Sequence, residues 1–261
     1  MLRAFGADLV LPGEDGKIRA ACEGTGGALD PVGNGTDPAS LGRGADAFSE
    51  EINAGFTTIL RPGRPLKGQE ICVPGDISSA YFLAAGLLVP GSEILLKDVG
   101  INETRDGILR VIRAMGGAVE VINERVVTGE RAADLRVRYS ALKGTEIGGA
   151  LIPTLIDEIP MIAVMAAAAE GDTVIRDAAE LKVKETDRLA AIVRNLRLMG
   201  ADVDETEDGM VIHGKGGSAD GFHAGSGRAV LHGAVIDPMG DHRMAMSMSI
   251  AGLIAEGETV I

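Results

Sequence analysis

Leu196-Arg197-Leu198-Met199-Gly200-Ala201-Asp202-Val203 is a helix end running into a strand. Apolar residues at helical spacing stop at Gly200, a residue suited to the positive φ of a helix C-cap, and a short strand pattern follows. The same junction recurs at Leu2-Arg3-Ala4-Phe5-Gly6-Ala7-Asp8-Leu9 and at Ile112-Arg113-Ala114-Met115-Gly116-Gly117-Ala118-Val119. A second pattern, a small-residue helix followed by a turn glycine and a strand, also occurs three times. It spans Ser78 to Leu96 with Gly91, Pro160 to Ile175 with Gly171, and Arg243 to Ile261 with Gly257. Together they predict a βαβαββ-like unit of roughly 80 to 85 residues, used more than once. Helices so rich in Ala, Met and Gly lack a polar face and must be buried on most sides. The fold class expected is therefore α/β (α+β), with repeated βαβαββ units, helices inside and sheets outside.

Both ends of the sequence cut through repeats. Met1 to Val10 is the second half of a unit, and the last copy stops after its first helix and strand. The chain thus reads as a piece of a longer protein, with residues 1–73 a remnant of one domain and residues 74–261 most of another. Gly24 to Ala45, rich in glycine with Pro31 and Pro38, reads as irregular. Gly214 to Gly227 reads as a hairpin connection to Ala229-Val230, and Leu142 to Ile152 as a short strand pair.

Composition narrows the function classes. With 25 Lys+Arg against 38 Asp+Glu, the formal net charge is −13, which repels nucleic acid and anionic membranes. Aromatic residues are 3% of the chain, too few for base-stacking platforms. An anionic ligand would need a local basic cluster. Met161 to Ala169 is the longest clean apolar stretch and is too short to span a bilayer. Cys22 and Cys72 cannot form a disulfide framework and suggest a reducing, cytoplasmic setting. His213, His223 and His232 show no ligand spacing, so no metal is expected.

Three aspartates, Asp76, Asp157 and Asp241, stand at nearly constant distance before the turn glycines. Their plain reading is helix N-capping. Two charged constellations accompany them. Lys182-Val183-Lys184-Glu185-Thr186-Asp187-Arg188 precedes the helix ending at Met199, with Thr186 or Asp187 as its cap. Lys184 and Arg188 are suited to phosphate or carboxylate groups, Arg188 bidentately. In Gly240-Asp241-His242-Arg243-Met244-Ala245-Met246, His242 offers an imidazole and Arg243 a permanent cation at the start of an apolar helix. Capped, solvated helix starts with local ion pairs account for the same residues. If the helix starts converge by repeat symmetry, acid, base and anion-binding groups surround one basin, as proton transfer on a phosphorylated substrate requires.

The Lys-Glu-Thr-Asp-Arg run over Lys184 to Arg188, followed by Leu198-Met199-Gly200-Ala201, and the Asp241-His242-Arg243-Met244-Ala245-Met246 run resemble the two signature stretches of the 5-enolpyruvylshikimate-3-phosphate synthase family. Pro74-Gly75-Asp76-Ile77-Ser78-Ser79-Ala80 looks like that family's crossover back into its first domain. The resemblance covers nearly the whole chain except about Gly13 to Arg64. It implies an enolpyruvyl transferase of two domains, each of three βαβαββ units, with substrates bound between them. Residues 1–73 would then belong to the family's second domain and residues 74–261 to its first, truncated at the carboxyl end.

The implied reaction moves the carboxyvinyl group of phosphoenolpyruvate to the 5-hydroxyl of shikimate 3-phosphate and releases phosphate, a step toward chorismate and the aromatic amino acids, without cofactor. Asp157 matches the aspartate that handles the hydroxyl proton, and Glu185 the glutamate that protonates the phosphoenolpyruvate methylene. Lys184 matches the lysine near the hydroxyl and phosphate, Arg188 and Arg243 the phosphoenolpyruvate arginines, and His242 a neighbouring site histidine. The family's amino-terminal Lys/Arg motif, its Ser-Ser-Gln-type shikimate phosphate stretch and its late lysine have no counterpart here. The chain alone is thus expected to turn over little, with a missing amino-terminal half as its partner. A UDP-N-acetylglucosamine enolpyruvyl transferase, or a non-catalytic binding module, are the competing readings.

Overall fold

The computed structural model describes residues 8–10, 59–61, 65–68, 70–79, 81–216 and 231–261. It forms two compact units, Met1–Ile71 and Cys72–Ile261. In the first, β1 (Asp8–Val10) pairs antiparallel with β2 (Ile59–Arg61). The glycine-rich stretch before β2, most of the first helix-to-strand junction, and residues 217–230 beyond Gly216 lie outside the described residues.

The second unit is built from one module used three times. The first copy contains α1 (Phe82–Leu88), β3 (Glu93–Gly100), α2 (Gly107–Ala114), β4 (Ala118–Val127) and β5 (Glu130–Arg138). The next runs β6 (Glu146–Ile147), α3 (Ile159–Ala167), β7 (Glu170–Ile175), α4 (Arg188–Leu198), β8 (Asp202–Glu205) and β9 (Met210–Lys215). The third contributes β10 (Leu231–His232), α5 (His242–Leu253) and β11 (Ala255–Glu256). Each module opens with a parallel pairing across its first helix: Gly75 with Val99, β6 with β7, and β10 with β11. The last two strands of a module then form a hairpin, giving orders β3-β5-β4 and β6-β7-β9-β8. This is the βαβαββ unit the repeats predict. Leu142 to Ile152 departs from expectation. Glu146–Ile147 pairs with β7 instead of with a close neighbour, because residues 149–154 wind into a 3-10 turn.

Helices occupy the interior. Every residue of α3 is buried, and the helix is flanked by α4 and α5. Each Ile, Val or Met removed from water there contributes about 1.5 to 3 kcal/mol. The strands present one face inward and one outward. On β5, Ala133, Leu135 and Val137 are buried, whereas Arg136 and Arg138 reach out to Glu120 and Glu93. Gly86 permits the close approach of α1 to this sheet, since a Cβ there would stand 2.7 Å from Val137 Cγ2. Gly116 and Gly200 close their helices at φ of 79° and 86°, as the junction motif requires. No helix among the described residues is long and apolar enough to cross a membrane.

Asp134 on the central strand of the first sheet clamps two bulges at once. Asp98 and Asn123 adopt positive φ where β3 and β4 lose register with β5. Asp134 accepts from Asn123 Nδ2 at 2.9 Å, from Asp98 N at 3.0 Å and from Arg125 Nη2 at 3.2 Å. These bonds, Asn123 foremost, hold its carboxyl down at about 2. A carboxylate depressed on folding contributes stability above its unfolded value near ~3.9 and loses it as pH falls through the folded value. The difference in denaturation midpoint between the parent chain and Asp134→Asn should hold steady above about pH 5 and shrink toward about pH 2. A difference that does not change with pH contradicts the clamp.

Candidate active site

Three chain segments bring their charged residues to the ends of α3, α4 and α5. Pro160 sits in the first turn of α3, as its fixed φ favours, and the preceding Ile156–Glu158 forms a 3-10 turn that carries Asp157. Asp187 caps α4, its side chain accepting from Ala190 N at 3.0 Å. Asp241 caps α5, accepting from Arg243 N at 2.8 Å.

Arg188, the first residue of α4, is 1% exposed and ties these segments together. Its Nε donates to Asp241 Oδ2 at 2.6 Å, its Nη1 to Asp157 Oδ1 at 3.2 Å, and its Nη2 to Glu185 Oε2. Burial alone would make the guanidinium easier to deprotonate. The hydrogen bond and charge of Asp241, followed by Glu185 and Asp157, outweigh burial and raise its pKa. Asp241 shows the mirror balance: burial works against its charge, but Arg188 and the Arg243 N–H draw its pKa below the usual carboxylate range.

Asp157 is the second node. Beyond Arg188, its Oδ2 faces Arg243 Nη2 at 3.4 Å and Arg105 Nη2 at 3.9 Å, and its carbonyl accepts from Arg243 Nη1 at 3.5 Å. Arg105 also donates to the Ser78 hydroxyl and faces Asp76 at 3.9 Å. Two guanidinium groups, the half-exposed Arg105 and the largely buried Arg243, therefore stand beside a partly open aspartate backed by the buried Arg188, with the exposed Glu185 at its side. Such a surface can hold a carboxylate or phosphate and place carboxyl groups beside it for proton transfer.

The structure brings Asp157, Glu185, Arg188, Asp241 and Arg243 into one bonded cluster, with Asp76 joined through Arg105. Two expected residues stand apart from these bonds. Lys184 pairs with Glu180 one helical turn earlier, and His242 is exposed at the start of α5. The capping reading holds at Asp241, and at Asp76 only for the 3-10 turn Ile77–Ser79, where it accepts from Ser78 N at 2.9 Å. It fails at Asp157, whose carboxylate serves the arginines while α3 has no side-chain cap. Arg105 escaped the sequence reading. A signal was present: Glu103-Thr104-Arg105-Asp106 nearly repeats Glu185-Thr186-Asp187-Arg188 at the matching place in the preceding module.

The EPSP synthase (3-phosphoshikimate 1-carboxyvinyltransferase) family model matches residues 46–261. The chain belongs to the EPSP synthase family. The 3-phosphoshikimate 1-carboxyvinyltransferase of Brevibacillus brevis is 56% identical over 211 residues, covering 80% of this chain and 46% of that protein. The enzyme of the same name from Synechococcus sp. (strain RCC307) is 56% identical over 220 residues, 84% of this chain and 47% of its own length. The solved EPSP synthase of Acinetobacter baumannii superposes with a TM-score of 0.72 at 38% identity, over 87% of this chain and 50% of that one. The fold is thus that of the enolpyruvyl transferases. This EPSP synthase-family chain spans about half the length of the curated relatives it matches.

Removing the Arg188 side chain would leave Asp157 and Asp241 facing each other without their shared cation. Arg188→Ala is expected to lower unfolding free energy by about 3 to 5 kcal/mol. The exposed Arg194→Ala on the same helix should change it by less than about 0.5 kcal/mol. Equal effects in denaturant titrations contradict Arg188 as the hub.

Proposed function

We propose that this chain carries the carboxyl-side half of an interdomain enolpyruvyl transferase site, and that the whole enzyme transfers the carboxyvinyl group of phosphoenolpyruvate to the 5-hydroxyl of shikimate 3-phosphate with release of phosphate. The observation that carries this reading is the bonded convergence of Asp157, Glu185, Arg188 and Arg243, in a family whose named relatives are 3-phosphoshikimate 1-carboxyvinyltransferases. The reading places the enzyme in the cytoplasm.

The geometry supports the roles that the family resemblance implies. Arg243 and Arg105 flank Asp157 and suit the anionic groups of the substrates. Arg188 is saturated by three carboxylates, but Glu185 is the exposed one of the three, at 56%. A phosphoenolpyruvate carboxylate can replace Glu185 on Arg188 Nη2. The freed Glu185 carboxylate takes up a proton from solvent and delivers it to the methylene carbon. As that C–H bond forms, the 5-hydroxyl oxygen bonds to C2 and its proton passes to Asp157. The tetrahedral intermediate keeps its carboxylate and phosphate, which the arginines stabilise. Elimination reverses the first proton transfer: Glu185 takes a methyl proton, the C–O bond to phosphate breaks as the leaving phosphate takes up the proton held by Asp157, and the double bond returns. Lys184 exchanges Glu180 for the substrate phosphate, and His242 takes the part of a neighbouring site histidine.

The test is a phosphate-release assay with both substrates, using the chain alone and the chain mixed with the separately produced amino-terminal half of a relative. Turnover should require the mixture. Asp157→Asn or Glu185→Gln should lower it about 10²- to 10⁴-fold. Turnover by the chain alone at the rate of the mixture, or unaffected variants, contradicts the proposal.

A further inference from the structure

The strap that leads into α5, residues 237–241, holds a conformation its sequence does not favour. Met239 has a φ of 52° and Gly240 one of 72°, two left-handed residues in a row. Glycine enters that region freely, whereas methionine does so at a cost. Strain of this kind persists only where the surroundings over-determine it. Met239 N donates to Asp237 Oδ1 at 2.8 Å, and Asp241 N to the Pro238 carbonyl at 2.9 Å, which closes the turn. The Met239 sulfur then rests 3.8 Å from the Thr186 hydroxyl, beside Glu185.

Asn195 of α4 holds the start of the strap. It is fully buried, and its Nδ2 donates to the Asp237 carbonyl at 3.2 Å, while its Oδ1 has no hydrogen-bond partner among the described residues. A buried amide with part of its bonding unmet stabilises a core less than a leucine of similar volume, so packing does not account for it. Its position does. Arg188, seven residues and two turns earlier on the same face of α4, holds Asp241 at the strap's far end. The helix thus grips both ends of the strap with side chains about 10 Å apart along its axis.

We propose that Asn195 is a positioning residue: it locks the strap in its left-handed turn, and the turn sets the Asp241 cap from which α5 presents Arg243 to an incoming anion. Only the last link, from Arg243 to bound anion, rests on the function proposed above. The locking of the turn does not. The lock matters because Met239 resists the turn. Asparagine before glycine is the pair that turns with two left-handed residues favour, so Met239→Asn should make the lock dispensable.

The experiment introduces Asn195→Leu, which keeps the volume and removes the amide, into the full chain and into a Met239→Asn background. The Arg243 backbone amide, bonded to Asp241 Oδ1 at 2.8 Å, reports the strap by NMR, and calorimetry measures phosphoenolpyruvate affinity. In the parent, Asn195→Leu should move the Met239 methyl and Arg243 amide signals and lower affinity at least about fivefold, the weight of one left-handed L-residue. On the Met239→Asn background it should leave the amide in place and lower affinity less than about twofold. Asn195→Ala takes its place should Asn195→Leu not fold. Signals unmoved by the loss of the amide overturn the inference, as does an equal effect on both backgrounds, which would make Asn195 a packing residue. If phosphoenolpyruvate binds none of these proteins, the anion-binding reading fails, and the NMR comparison decides the positioning role by itself.

Discussion

The guanidinium of Arg188, withdrawn from water among the carboxylates of Asp157, Glu185 and Asp241, is the constraint on which the rest of this structure depends. Burying a cation without partners costs several kcal/mol, and burying carboxylates costs as much. Neither cost is met unless all the groups arrive together with good geometry. The fork of Arg188 supplies that geometry, with separate nitrogens for separate carboxylates. Asp241 comes from the cap of α5, Asp157 from the turn before α3, and Arg188 from the first residue of α4. Fixing their side chains fixes the mouths of three helices against one another. Hydrophobic packing along α3 holds the helices together but is tolerant of small slides. The ion cluster is not, and it gives the core its register.

The repeated module explains why these mouths meet. Each copy begins with a strand, crosses over through its first helix and returns parallel to that strand. With sheets outside and helices inside, equivalent helix starts in successive modules are carried to the same end of the bundle. Helix amino ends bear partial positive charge, which complements the arginines toward anions and makes the capping aspartates welcome. The architecture therefore delivers paired guanidinium and carboxylate groups to one set of helix mouths in a chain whose net charge is −13.

Much of this was written plainly in the sequence. Gly116 and Gly200 announced their junctions because a positive φ at a helix end has few other solutions. Asp241 was readable as a cap, and Asp187 as one of two candidates with Thr186, because capping is a local event. Asp157 was not, since nothing within a few residues reveals that its turn would be 3-10 and that arginines from α4, α5 and the first module would surround it. Lys184 pairs locally with Glu180, a contact that its motif does not announce. Glu158 is buried where the adjacent Asp157 is partly open, a property of the assembled core that adjacent letters do not encode. Arg105 was legible only by aligning one repeat with the next.

The most direct measurement of the central claim is a double-mutant cycle between Arg188 and Asp241, using Arg188→Met and Asp241→Leu with unfolding free energy as the readout. Residues sharing a buried network couple by up to about 3 kcal/mol, whereas independent sites add to within about 0.5 kcal/mol. A coupling of about 2 kcal/mol or more, with the double variant recovering much of what either single variant loses, is the predicted result. Simple additivity would mean that Arg188 does not join the helix mouths, and the shared site built on it would not stand.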